Sequence, residues 1–307
     1  MIRLERLTEK PILEPKRNGE AESEWERAAV FNCAAIYDNG LFHLIYRASN
    51  IGPHEKYGRY ISRLGYAVST DGLNFNRLRA PIITNDQPHE QRGCEDPRVV
   101  KIGDTYYMMY VAFGGRFDGD WRICLATSKN LIKWEKHGIV LDEPNKNASL
   151  FPEKINGKFV MLHRRYPNIW IAFSEDLKAW HDHRPILEPV KGTWQSARVG
   201  IAGPPIKTQD GWFLIYHAAD SKNTYRLGAA LLDLEDPSKV LARQEDPIME
   251  PQLSWEKEGY VPNVVFSCGH AVKGDDIYIY YAGADSAIGV AYLNKADIKF
   301  RRARAVA

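Results

Sequence analysis

A small set of side chains in this sequence could do chemistry together: Asn32, Arg47, Glu95, Asp96, Lys146, Arg164, Arg198, His217, Asn263 and Asp285. Cationic or protonatable groups dominate it, and carboxylates are few. A buried Arg or Lys is costly unless something anionic pairs with it. If these residues converge, they form a polar pocket suited to an anion. Each also has a plain structural explanation. Asp96 precedes Pro97 and could simply open a strand or turn. His217 ends an aromatic strand, where a histidine commonly serves packing. Arg164 and Arg165 are adjacent and alternate faces in a strand, so at most one points inward. Arg98 is expected to face away from Asp96's partners, or to bond a neighbouring unit.

Repetition is what would bring them together. Five copies of one phrase run along the chain: a short apolar strand, a turn, an aromatic-rich strand, then a third strand. The copies begin at FNCAAIYDNGLFHLIYRA (31–48), EDPRVVKIGDTYYMMYVAF (95–113), LFPEKINGKFVMLHRR (150–165), AGPPIKTQDGWFLIYHA (202–218) and PNVVFSCGHAVKGDDIYIYYAGAD (262–285). Asn-Gly and Asp-Gly between β-rich runs are the strongest short-range hairpin signal. Between the copies lie PILEP (11–15 and 185–189), APIIT (80–84), HGIVLDEP (137–144) and PIMEP (247–251). Their prolines exclude a helix interior, so each reads as an extended segment carrying an outer strand into the next unit. Repeated antiparallel four-stranded units predict an all-β fold, a five-bladed β-propeller forming one domain over 1–307. Its blades fall at approximately 31–80, 95–140, 150–186, 202–248 and 262–298. The first strand of each blade lines the axis, so the candidates above converge on one central pocket.

Lys+Arg 41 against Asp+Glu 39 gives a formal net charge of +2. That near-balance argues against nucleic acid or a membrane surface as partner. The charged start, MIRLERLTEKPILEP, is unlike a signal peptide, and no 18-residue apolar run occurs. Cys33, Cys94, Cys124 and Cys268 are isolated, which predicts reduced, buried thiols in a cytoplasmic protein. No metal-binding constellation is visible.

The segments GCEDPRVV, NKNASLFPEKINGKFVMLHR, SARVGIAGPPIKTQDGWFLIYH, GYVPNVVFSCG and YYAGADSAIGVA resemble glycoside hydrolase family 130, in order, from about residue 10 to 298. That family consists of five-bladed propellers, mostly inverting β-mannoside phosphorylases. The resemblance implies that Asp96 is the catalytic acid, acting directly or through a mannose hydroxyl, and that Lys146, Arg164, Arg198 and His217 hold inorganic phosphate. It implies that Asn32, Arg47 and Asp285 contact the mannosyl unit in subsite −1, with Cys33 and Glu95 beside them. Two departures stand out: Cys33 where many relatives carry a small residue or Ser, and Arg198 where many carry Lys. No cofactor is implied beyond phosphate as co-substrate. Relatives are often oligomeric, which leaves a homo-oligomer open.

The inventory suits phosphorolysis. Inverting hydrolysis needs a second carboxylate to activate water; phosphate is already an anionic nucleophile and needs a cationic cradle instead. The expected reaction converts a β-linked manno-oligosaccharide and phosphate into α-mannose 1-phosphate and a shortened sugar, with β-1,2 linkages favoured slightly over β-1,4. Three alternatives compete with it. A β-mannoside hydrolase on the same fold would lack the basic cradle. A furanosidase-type propeller would need a third acid, for which Glu153 is the candidate. A non-catalytic sugar-binding propeller would need no acid. The loops at 49–63, 85–93 and 113–121 are expected to set acceptor specificity, with Tyr57, Tyr60, His54 and His89 as candidate +1 contacts.

Overall fold

A computed structural model describes residues 1–16, 21–51, 60–117 and 119–300, with the backbone alone at 21–23. The first strand, β1 (Glu5–Arg6), lies outside blade one. Blade one contains β2 (Ala29–Asp38), β3 (Leu41–Ser49), β4 (Ser62–Ser69) and β5 (Asn76–Arg77). Blade two contains β6 (Gly93–Ile102), β7 (Thr105–Phe113), β8 (Trp121–Ser128) and β9 (Trp134–Leu141). Blade three contains β10 (Lys146–Leu150), β11 (Phe159–Arg165), β12 (Asn168–Ser174) and β13 (His181–Leu187). Blade four contains β14 (Arg198–Ile201), β15 (Ile206–Lys207), β16 (Trp212–Ala219), β17 (Tyr225–Leu232) and β18 (Val240–Arg243). Blade five contains β19 (Val265–Lys273), β20 (Asp276–Gly283) and β21 (Ala287–Asn294). Within each blade, neighbouring strands pair antiparallel, β14 and β15 both pairing with β16. The fold is the expected five-bladed propeller.

Turn chemistry makes the hairpins. Asn39–Gly40 joins β2 to β3 with both residues left-handed, φ 49° and 81°, and Asn156–Gly157 repeats it at 51° and 79°. Such turns match the strand twist and suit Asn-Gly. After the third strand of blades one, two and three, an Asx turn recurs. Asp71, Asn130 and Asp176 each accept two backbone N–H groups through one Oδ1.

The proline-bracketed phrases do one job in five places. Ile83, Leu141, Leu187 and Met249 pair with the third strand of their own blades, at Leu64, Ile123, Ile169 and Leu227. Leu13 pairs instead with Ile288 of blade five, and β1 pairs with β21 through Glu5–Tyr292 and Arg6–Ala291. The N-terminal segment therefore supplies the outer strand of the last blade and closes the ring. All five apolar side chains are buried.

The five largest apolar clusters among the described residues fill the ring, one between each pair of neighbouring blades. A two-sheet sandwich would have one core between two sheets, so this distribution excludes it. At the blade one–two boundary, Ser62 pairs parallel with Gly93. A Cβ on Gly93 would lie 2.3 Å from the Ser62 carbonyl oxygen, and its φ is 121°. Only glycine permits that approach, which brings the start of β6 against β4.

Candidate active site

The pocket is made by one local device repeated around the axis. In β2 the pairing slips between Phe31 and Ala34, in β6 between Glu95 and Arg98, and in β10 between Lys146 and Ser149. The first residue of each bulge is left-handed: Asn32 at φ 45°, Asp96 at 49° and Asn147 at 57°. Asn and Asp tolerate this region better than other side chains, and a bulge re-aims the side chain it carries. Asn32 and Asp96 meet, the Asn32 Nδ2 donating to Asp96 Oδ1 at 2.9 Å. Asn147, not anticipated from the sequence, occupies the same repeat position and meets His217.

Arg47, on β3, organises the acids. It donates to Glu95 Oε1 at 2.7 Å, to Asp96 Oδ1 at 3.0 Å and to Ser62 Oγ at 3.0 Å. Its guanidinium lies 4.5 Å from the Phe31 ring centroid. Glu95 is fully buried, and Lys146 Nζ approaches its other oxygen at 3.4 Å. Burial alone would raise the Asp96 pKa; Arg47, Lys146, Arg98 and the Asn32 amide outweigh it and hold the carboxyl below the usual range. Asp285 contrasts with it. Among the described residues its carboxyl has no hydrogen-bond partner, and burial, with Asp96 and Glu95 nearby, pushes its pKa up to about 7 against the pull of Arg47 and Lys146.

The cations gather beside Asp96. Lys146 stands 4.0 Å over the Trp121 ring. Burial, Arg47 and Arg164 hold its pKa below the ordinary ammonium value, while Glu95 and Asp96 oppose them. Arg164 is lowered by burial and by neighbouring Arg198 and Arg98, and its guanidinium makes no hydrogen bond among the described residues. Arg198 donates to the Tyr225 hydroxyl and to Asn223 Oδ1, each at 2.8 Å. Of the two expectations for Arg98, bonding a neighbouring unit holds and facing away does not: it is 1% exposed and donates to the carbonyls of Asp96, Ile201 and Ala202 and to Asn147 Oδ1. It ties blades two, three and four together at the axis. Because Asn147 turns its oxygen to Arg98, its amide NH2 faces His217 Nε2 at 3.3 Å. His217 Nε2 therefore accepts, its Nδ1 carries the proton, and that Nδ1 is buried without a partner among the described residues. Burial and three arginines keep this imidazole neutral. Arg98, Arg164 and Arg198 thus share one locus without a carboxylate partner among the described residues.

Two expectations need correction, those for Cys33 and Asn263. Cys33, the second residue of its bulge, points away from the axis into the apolar cluster between blades five and one, beside Val30 and Phe42. Burial pushes its thiol pKa up, so it serves packing rather than sugar contact. His89 precedes the buried Glu90 just as Trp25, Trp194 and Trp255 precede Glu26, Gln195 and Glu256. Among the described residues it has no hydrogen bond or ring contact with the axial side chains, and its Nε2 is buried without a partner. Asn263 is exposed, and its carbonyl accepts the Tyr225 N–H. Glu153 likewise pairs with Lys207 on the exterior. Tyr60 stands 5.6 Å from Arg47 across its ring face, at the pocket edge. Tyr57 and His54 lie outside the described residues. The missed residue, Asn147, left a signal: aligning FNCA, EDPR and KNAS superposes Asn32, Asp96 and Asn147.

A family profile described as beta-1,4-mannooligosaccharide phosphorylase, glycoside hydrolase family 130, matches residues 3–299. The chain belongs to this family. It is 73% identical over 300 residues to a 1,2-beta-oligomannan phosphorylase of Thermoanaerobacter sp., covering 98% of this chain and 100% of that protein. A beta-1,2-mannobiose phosphorylase of the same organism is 55% identical over 307 residues, covering 98% of this chain and 100% of its own length. Among solved structures, the beta-1,2-mannobiose phosphorylase of Listeria innocua in complex with beta-1,2-mannobiose superposes with a TM-score of 0.88 at 30% identity, over 96% of this chain and 98% of that one. No helix among the described residues is long and apolar enough to cross a membrane.

Proposed function

We infer that this family 130 enzyme phosphorolyses β-1,2-linked manno-oligosaccharides with inversion, releasing α-mannose 1-phosphate and a sugar one unit shorter. The observation that carries the reaction type is the locus of Arg98, Arg164 and Arg198, which lack carboxylate partners among the described residues, beside the one acid that both Arg47 and Asn32 hold. Resemblance to phosphorylases acting on β-1,2 linkages supports the linkage. A hydrolase would need a carboxylate where these cations stand.

In this reading, monohydrogen phosphate docks against Lys146, Arg164, Arg198 and the Nδ1–H of His217. Asn32, Arg47 and Asp285 hold the mannosyl unit. A bond forms between a phosphate oxygen and the anomeric carbon as the bond to the glycosidic oxygen breaks, and one displacement inverts the β-linkage to α. The departing oxygen takes a proton supplied through Asp96, and across the turnover that proton comes from monohydrogen phosphate. Asp96 is ionised in the empty pocket. The bound phosphate's negative charge offsets Lys146 and Arg98, which depress its pKa, and so raises its proton affinity when the substrate complex forms.

The four cysteines are all buried and unpaired, which supports a reducing, cytoplasmic setting. Initial rates on linkage-defined mannobioses with phosphate test the whole reading. Mannose 1-phosphate should accumulate from the β-1,2 substrate at least tenfold faster than from the β-1,4 one. Equal rates would overturn the linkage, and no mannose 1-phosphate from either would overturn the reaction.

A further inference from the structure

Behind the pocket, each blade carries a polar support whose parts come from equivalent positions. The second strand contributes a side chain immediately before the residue that faces the axis. In blades one, two, four and five it is Tyr46, Tyr110, Tyr216 and Tyr281, preceding Arg47, Val111, His217 and Ala282. Each tyrosine donates to a buried acid or amide: Glu26 at 2.9 Å, Glu90 at 2.7 Å, Gln195 at 2.8 Å and Glu256 at 2.9 Å. A base from the outer strand completes each set: Arg77, Lys136, Arg243 and Arg6. These supports are charged or strongly polar and face away from the reaction.

Blade three breaks the pattern. His163 takes the tyrosine's place, Asn145 the acid's and His183 the base's. The Asn145 amide has each of its groups assigned. Its Nδ2 donates to Glu143 Oε1 and to His163 Nδ1, each at 2.9 Å, and its Oδ1 accepts the Arg164 backbone N–H at 3.2 Å. Glu143 is held in turn by Arg165 at 2.8 Å. Because His163 Nδ1 accepts, its Nε2 must donate to His183 Nδ1 at 3.0 Å, and His183 Nε2 to the Trp180 carbonyl at 3.2 Å. Both rings are therefore neutral, each in one tautomer. Burial holds His163 at about 3, with His183 and Arg165 adding to it and Glu143 opposing, so the chain persists across the ordinary range of pH.

The chain is fixed to the two cradle residues that blade three supplies. Arg164 hangs from Asn145 by its own N–H and follows His163 directly, while Lys146 follows Asn145. The Asn145 backbone N–H is bonded to the carbonyl of Trp121, whose ring lies under the Lys146 ammonium. We propose that Asn145 and His163 are positioning residues for phosphate: the neutral Asn145–His163–His183 chain sets the backbone on which Lys146 and Arg164 are mounted. The inference rests on the phosphorolytic reading above.

The test compares His163→Leu, which removes both ring nitrogens, with His163→Gln, whose amide can still accept from Asn145 and donate to His183. Tyr110→Phe, which cuts the support of blade two, is the control for a merely structural loss. Calorimetry with inorganic phosphate and steady-state kinetics supply the readouts. His163→Leu should weaken phosphate binding and raise the phosphate KM at least tenfold, with the mannoside KM within twofold of wild type. His163→Gln should recover phosphate KM to within threefold, and Tyr110→Phe should leave it unchanged. The inference is overturned if folded His163→Leu binds phosphate as wild type does, or if both KM values rise together. It is also overturned if Tyr110→Phe reproduces the effect. Should His163→Leu not fold, Asn145→Ser carries the same expectations and the same overturning outcomes. Wild-type protein that binds no phosphate would overturn the phosphorolytic reading and this one with it, whereas phosphate binding retained by the variants would overturn only this one.

Discussion

Replacing Arg164 by alanine separates what the cationic cradle does for catalysis from what it does to the fold. The Arg164 guanidinium has no hydrogen-bond partner among the described residues and shares its locus with Arg98 and Arg198, which lower its pKa along with burial. Truncation therefore removes no protein-protein hydrogen bond and relieves like-charge repulsion. In phosphate-free buffer, stability should stay within about 1 kcal/mol of wild type or rise, against the several kcal/mol expected for breaking a buried ion pair. Phosphate binding should lose one charge-assisted contact, about 1.5–3 kcal/mol, or roughly 10- to 150-fold in affinity. The two readouts combine in thermal unfolding. Phosphate at 100 times the wild-type Kd should stabilise wild type by about 2.7 kcal/mol. If the variant's Kd is raised about 100-fold, the same concentration should stabilise it by about 0.4 kcal/mol. Kinetically, the phosphate KM should rise far more than the mannoside KM. A variant that loses several kcal/mol without phosphate, and keeps the wild-type phosphate KM, would refute the assignment of Arg164 to the cradle.

Three further substitutions probe neighbouring parts of the site. Asp96→Asn keeps the shape at φ 49° and the ability to accept from Arg47, but cannot donate a carboxyl proton; kcat should fall by about 10²–10⁴-fold or more with circular dichroism unchanged, and a loss under tenfold would remove Asp96 from the acid's role. Asp285 has its pKa raised to about 7, so the folded state keeps a proton that the unfolded chain gives up near pH 4. Stability is then lost as pH rises from about 4 to about 7, and Asp285→Asn should raise Tm at pH 8 but not at pH 4; equal shifts at both would contradict that environment. A Cβ on Gly200 would lie 2.4 Å from His217 Nε2 and 2.7 Å from Asn147 Nδ2. Gly200→Ala should therefore displace both, lowering Tm and weakening phosphate binding together, and a variant with wild-type phosphate affinity would show that His217 does not hold phosphate.

Much of the fold is legible in the sequence because hairpin turns and outer-strand phrases are local signals. Asn39–Gly40 makes its turn from its own dihedrals, and PILEP, PIMEP and their relatives mark the outer strands. Ring closure is not local: nothing in MIRLERLTEKPILEP says that Arg6 pairs with Ala291. The site is partly legible for the same reason. Arg47, Arg164 and His217 lie on regular second strands, where alternation puts them inward. Residues at the bulges defeat alternation, since one inserted residue flips the face of every later residue in the strand. This is why Cys33 points into the core while Asn32 meets Asp96, and why Asn147 escapes a reading by alternation. Arg98 shows the remaining limit: that it bonds a neighbouring unit can be expected, but which one cannot, because two of its acceptors are carbonyls of a blade about a hundred residues away, and carbonyls leave no mark in a sequence.

Titrating phosphate from zero while following products from β-1,2-mannobiose by ¹H and ³¹P NMR tests the central claim most directly. α-Mannose 1-phosphate and mannose should appear in equal amounts when phosphate is present, with no cleavage when it is absent. Cleavage in phosphate-free buffer at a comparable rate, yielding only free mannose, would contradict it.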